Sequence, residues 1–161
     1  MYLTFLVKYS RLFYVMKSCV FFGHRDVNYE PHRERIRKIL IALIEREGIT
    51  QFYSGNRGNF DRICSELVHE LKTIYPQIRN TMILSYHPTR GFKLPAYYDD
   101  SVYLLERAIP RAYAILETNK RLVEIADIIV SGVMYDFGGA YKANEYARRK
   151  KKTIITFNID K

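Results

Sequence analysis

Short, continuously apolar runs alternate along the chain with longer stretches in which apolar residues recur every three or four positions. The runs "SCVFF" (18–22), "ITQFYS" (49–54), "TMILSY" (81–86), "DIIVSGV" (127–133) and "TIITF" (153–157) predict strands. Between the first two, Pro31 suits the opening turn of a helix, where its missing N–H costs nothing. Ile36, Ile39, Leu40, Leu43 and Ile44 follow at helical spacing, with Arg33, Arg35, Arg37 and Lys38 on other faces, and Gly48 ends the helix. A second amphipathic helix is expected from about Phe60, burying Ile63, Leu67, Leu71 and Ile74 and stopping before Pro76. Two more are expected, one after Pro110 to about Ala126 and one from about Ala140. Residues 87–100 hold two prolines, a glycine and the pair Tyr97-Tyr98, and read as a long loop.

The predicted strands are apolar throughout rather than at alternate positions, as expected when both faces of a sheet are covered. Strands alternating with helices then predict an α/β fold, a three-layer sandwich with a mainly parallel sheet. In such sheets ligands bind beyond the carboxyl ends of the strands, so chemistry is sought there. Three strands run into small or polar loops: "GHRD" (23–26), "SGNRGNFD" (54–61) and "SGVMYDFGGA" (131–140). The third joins Gly138-Gly139 to a predicted helix. A helix start presents unpartnered N–H groups and partial positive charge, and glycine there lets an anion approach. A simple turn explains the same pair.

The other candidates also carry two readings. His24 suits a phosphate contact or acid–base work, or else caps a turn. Arg25 offers a planar fork of donors to phosphate, unless neighbouring Asp26 absorbs it in an ion pair. Asp61 suits a ribose hydroxyl, or simply favourable negative charge at a helix start. Ser54, Gly55 and Asn56 complete the second loop. Tyr97, Tyr98 and Tyr103 suit stacking on a base or ordinary packing.

Composition narrows this picture only at a few points. The chain of 161 residues is long enough for one core, and its charged fraction of 27% is ordinary for a globular protein. A net charge of +9 suggests acidic partners, although the cations are scattered and only "ARRKKK" (147–152) forms a block. That block reads as a solvated helix end. Cys19 and Cys64 lie in apolar stretches and read as buried, reduced thiols of a cytoplasmic protein. His32, His69 and His87 have no metal-ligand spacing, and the reading includes no metal, cofactor or membrane partner. Residues 1–15 are broken by Lys8 and Arg11 and fit neither an export signal nor a membrane helix. They are expected to be an extension ahead of a single domain spanning 16–161.

The loops carry a family resemblance. "FFGHRD" and "GGAYKANEYARRKKKTII" resemble the SLOG superfamily, the Rossmann-like group that includes DprA and the LOG phosphoribohydrolases, and within it the YpsA-like branch. "SGNRGNFDRICSEL" resembles the Ser-Gly-x-Ala-x-Gly-Ile-Asp signature of DprA, matching at Ser54, Gly55 and Asp61 and departing at Arg57 and Asn59. The resemblance runs from about Lys17 to Phe157 and implies a Rossmann-like fold with a site for a nucleotide or nucleotide-derived ligand. Against the Pro-Gly-Gly-x-Gly-Thr-x-x-Glu pattern of the LOG enzymes, Gly138, Gly139 and Glu145 match. Phe137, Tyr141 and Lys142 depart from it. The arginine of the enzymes' preceding helix falls on Thr118, with Arg121 about a turn away. The resemblance therefore implies Glu145 and Arg121 as the catalytic candidates.

The leading expectation is a module that senses a nucleotide or nucleotide-derived molecule through Gly23, Gly55 and Gly138-Gly139. A LOG-type nucleotide hydrolase and a DprA-like single-stranded nucleic-acid binder stand as alternatives, and a second copy of the chain is an open partner.

Overall fold

The computed structural model describes residues 16–159. The expected extension at residues 1–15 therefore lies outside the described residues. The first strand, β1 (Lys17–Gly23), lies inside a sheet that continues through β2 (Ile49–Ser54), β3 (Arg79–Leu84) and β4 (Asp100–Tyr103) on one side. On its other side stand β5 (Ile128–Gly132) and β6 (Thr153–Thr156). All pairings in this six-stranded sheet are parallel. The helices are α1 (Arg33–Glu47), α2 (Asn59–Leu71), α3 (Arg111–Ile125) and α4 (Gly138–Arg149), with a short 3₁₀ turn at Glu30–His32 before α1.

Alternate residues of β1 explain the layering. Cys19 and Phe21 enter one core with Ile36, Leu40, Phe60, Leu67 and Phe157, beneath α1 and α2. Val20 and Phe22 enter the other with Leu122, Val123, Ala143 and Ala147, beneath α3 and α4. Each buried side chain removes roughly 2 kcal/mol worth of apolar surface from water, so a strand apolar on both faces is held in the middle. The result is the Rossmann-like α/β sandwich expected from the pattern.

Four details differ from expectation. β4 was not foreseen: it is a short edge strand of alternately exposed and half-buried residues, and so lacks the apolar run that marks the others. The third strand begins two residues earlier than expected and ends at Leu84. Ile74, expected in the core, is 58% exposed, because α2 stops at Leu71 and the chain turns; Val68 fills the buried stripe instead. The last helix starts at Gly138 rather than Ala140. Gly48 does end α1, in the left-handed region at φ 70°, its N–H bonding to the Leu43 carbonyl. Cys19 and Cys64 are free and buried, and burial pushes both thiols up, leaving them as small core hydrophobes.

Candidate functional site

Strand order decides where a crevice forms. From β1 the chain steps outward through β2, β3 and β4, then crosses back to lay β5 against the free side of β1. The loops leaving β1 and β5 diverge at that point, and a cleft of about 590 Å³ opens between them. Gly23, His24, Arg25 and Asp26 line it from the end of β1, Gly55 and Arg57 from the loop after β2, and Asp61 from the first turn of α2. Tyr135, Phe137, Gly138 and Gly139 line it from the loop after β5, and Ile115 and Asn119 from α3.

Packing fixes the floor. Phe60, fully buried at the start of α2, lies so close to β1 and β5 that a Cβ on Gly23 would fall 2.3 Å from it and one on Gly132 2.7 Å. Gly23 is therefore demanded by Phe60 and not by a ligand. The Tyr29 ring packs at a tilt against Phe60, and its hydroxyl accepts the His24 N–H at 3.3 Å and donates to the Gly132 carbonyl at 2.9 Å, tying the two strand ends together.

Polar groups fix the walls. The Tyr135 N–H donates to His24 Nε2 at 2.9 Å, so His24 is held neutral with its proton on Nδ1; burial lowers its pKa from the usual imidazole value. Arg25 makes no ion pair with Asp26; its Nε donates instead to the Arg57 carbonyl at 3.0 Å. Asp61 is buried at the start of α2 and accepts the Arg57 backbone N–H at 3.1 Å. Burial pushes its carboxyl up to about 6, against the opposing pull of that hydrogen bond and of the Arg57 charge. The Arg57 guanidinium hydrogen-bonds Ser85, and its Nε is buried with no hydrogen-bond partner. α4 begins in the same cleft with no side-chain cap on its first amides.

Several expected site residues lie elsewhere. Ser54 is fully buried and shares hydrogen bonds with Ser65 and the Tyr98 hydroxyl in the core, so it faces no ligand. Asn56 turns the chain at φ 52° and accepts the Tyr97 hydroxyl at 3.0 Å, outside the cleft lining. The three tyrosines considered for base stacking are engaged: Tyr98 is buried, Tyr97 packs against it, and Tyr103 packs on His87. Glu145 pairs with Arg148 and borders a second cavity of about 380 Å³ between α3 and α4. Arg121 pairs with Glu124 at 3.0 Å and Glu106 at 3.6 Å and lines neither cavity. The structure therefore does not bring the two catalytic candidates together in the cleft.

Among the lining residues that escaped sequence reasoning are Arg57, Asn119, Tyr135 and Phe137. Arg57 looked only like a departure from a motif, yet it contributes the cleft's partly buried cation. Asn119 borders both cavities, while Thr118 is buried and bonds its own helix at the Ala114 carbonyl. The helical period alone, with Leu122 and Val123 set inward, would have turned Asn119 toward the sheet edge. The basic block also differs from a purely solvated end. Lys152 Nζ donates to the carbonyls of Glu124 and Ala126 at 2.9 and 2.8 Å, closing the end of α3.

No family model and no curated protein matches the chain. Solved structures do resemble it. DNA processing protein A (DprA) from Streptococcus pneumoniae aligns over 88% of this chain and 50% of its own, with 11% identity and a TM-score of 0.62. DprA from Helicobacter pylori, described by its single-stranded DNA binding mode, aligns over 88% and 65%, with 14% identity and a TM-score of 0.58. The structural-genomics target TM1055 aligns over 86% and 72%, with 19% identity and a TM-score of 0.52. The chain thus spans about half to two thirds of the DprA structures. It shares their fold, the Rossmann-like α/β sandwich that the strand and helix pattern suggested.

Proposed function

We propose that this chain is a ligand-binding module for a nucleotide or nucleotide-derived small molecule, whose phosphate rests on the start of α4. The observation that carries the reading is a set of donors without acceptors around one cleft. The first amides of α4 have no side-chain cap, and Arg57 Nε has no partner. The buried Arg57 Nε, left unpaired, costs about 1–3 kcal/mol, and a phosphate offers an acceptor to it and to the exposed first amides of α4. Gly139 fits this role: a Cβ there would meet only the Asn119 amide nitrogen, at 3.9 Å, so packing does not require glycine.

Replacing Gly139 with Asp puts a carboxylate where the phosphate would rest. Calorimetry with adenosine monophosphate should then show at least a tenfold loss of affinity, about 1.4 kcal/mol, at an unchanged melting temperature. Equal affinity in parent and variant removes the phosphate from α4. Glu145→Gln should bind the same probe as the parent, because Glu145 lies beside the second cavity.

A second reading, single-stranded nucleic acid, rests on the wall of that second cavity. There Lys142 and Arg149 have no carboxylate within 4.0 Å among the described residues, and Tyr141 and Tyr146 stand beside them. It predicts an affinity for an oligonucleotide that falls steeply with salt, whereas mononucleotide binding depends on salt weakly.

A further inference from the structure

We propose that Tyr135 and Phe137, with His24 behind them, form the platform on which the planar base of the bound nucleotide lies. This rests on the phosphate reading of the same cleft and adds the part of the ligand that confers identity. The two rings are stacked, with centroids 5.4 Å apart and planes within 9°. His24 packs against both, at 4.7 Å from Tyr135 and 6.1 Å from Phe137. All three side chains line the cleft.

Stability does not account for this arrangement. Tyr135 is 49% exposed and Phe137 65% exposed, so neither ring contributes a buried core contact. Phe137 also occupies the residue that caps α4, with extended backbone. Ser, Thr, Asp or Asn there would satisfy an α4 amide and stabilise the helix by about 1 kcal/mol. An aromatic residue at a capping position, in a cleft, gives up that gain.

The platform is also held in place before any ligand arrives. The Tyr135 N–H is fixed to His24, and the Gly132 carbonyl is fixed by Tyr29. Rings ordered in advance spare the ligand the entropy of ordering them. Residues 135 to 139 then place ring faces and helix start in sequence along one wall, matching a ligand with a flat apolar end and an anionic end.

The test compares adenosine monophosphate, ribose 5-phosphate and adenosine as calorimetric probes on the full chain. The parent should bind adenosine monophosphate at least tenfold more tightly than ribose 5-phosphate. Tyr135→Ala and Phe137→Ala should each lose about tenfold for adenosine monophosphate, in keeping with about 1–3 kcal/mol per stacked base. Both should keep ribose 5-phosphate within twofold, and Phe137→Tyr should restore the loss. Melting temperatures of the variants check that the fold is intact. If the parent binds ribose 5-phosphate and adenosine monophosphate equally, the phosphate site stands and the platform is overturned. If it binds adenosine but not ribose 5-phosphate, the platform stands and the phosphate site falls. Variants that lose both phosphate probes equally, or neither, overturn the platform, and a parent that binds no probe overturns both readings.

Discussion

Two glycine pairs lie near one cleft for opposite reasons: Gly23, Gly138 and Gly139 line it, and Gly132 stands beside Gly23 in the sheet. Gly23 and Gly132, at the ends of β1 and β5, are pressed by the Phe60 ring, and any side chain would collide with it. Gly138 and Gly139, at the start of α4, have almost nothing near them. Gly138 needs its φ of +88°, which L-residues rarely adopt; Gly139 has neither a steric nor a conformational requirement. The first pair closes the floor of the cleft and belongs to packing. The second leaves a space beside uncapped helix amides, where the proposed phosphate would rest. Glycine in a loop is thus no evidence of a ligand until the atoms around it are known.

The contrast can be broken most severely at Phe60. Phe60→Ala should destabilise the protein by about 4 kcal/mol, the usual cost of deleting a buried ring, seen as a lower midpoint in urea. Gly23→Ala should cost about 3 kcal/mol by overpacking. At Gly132, whose three nearest neighbours are all ring atoms of Phe60, the same change combined with Phe60→Ala should cost far less than the sum, because the atoms it strikes are gone. Additive effects in that double-mutant cycle would show that Phe60 is not what excludes a side chain at Gly132.

Asp61 sharpens the packed side further. Its carboxyl is raised to about 6 from an ordinary 3.8, so the folded state binds its proton more tightly than the unfolded chain. The resulting stability is full below about pH 4 and lost as pH rises through about 6. Asp61→Asn removes that dependence while keeping an acceptor for the Arg57 N–H. The parent should therefore weaken against the variant by about 2 kcal/mol between pH 4 and pH 7. His24 acts in the opposite sense: its lowered pKa gives stability present above about 6.5 and lost as pH falls. It is common to both proteins and cancels in the difference. A flat difference across this range would mean that Asp61 is not desolvated.

Smaller effects are expected where the chain meets solvent. Lys152→Gln should cost about 1 kcal/mol, since a charged donor to two helix-end carbonyls is lost. Lys150→Gln and Lys151→Gln should leave thermal stability unchanged. Smallest of all, Gly139→Ala should change stability by less than about 0.5 kcal/mol, with gain more favourable than loss through helix propensity. The same substitution that is severe at Gly23 is then nearly silent at another residue lining the same cleft, and a large loss at Gly139 would erase the distinction.

The sequence by itself determined the architecture. Apolar runs with no alternation could be buried only between two helical layers, which is why five of the six strands, all four helices and the parallel arrangement were legible. It also located the loops, because a parallel sheet with crossover helices places successive strand ends on one edge. β4 was hidden because an edge strand covered on few sides needs no apolar run. The tertiary structure alone decided which loop residues meet the cleft. Ser54 and Gly55 are neighbours in sequence, yet one hydrogen-bonds into the core and the other faces the opening. Glu145 and Arg121 matched or approximated a motif but are held in separate ion pairs on the helix faces. Arg57, Asn119 and the Tyr135–Phe137 stack came into the site only because β5 returns to lie beside β1. Periodicity is a one-dimensional consequence of burial and survives in the sequence, whereas the company each polar side chain keeps depends on chain segments that meet only when the sheet is assembled.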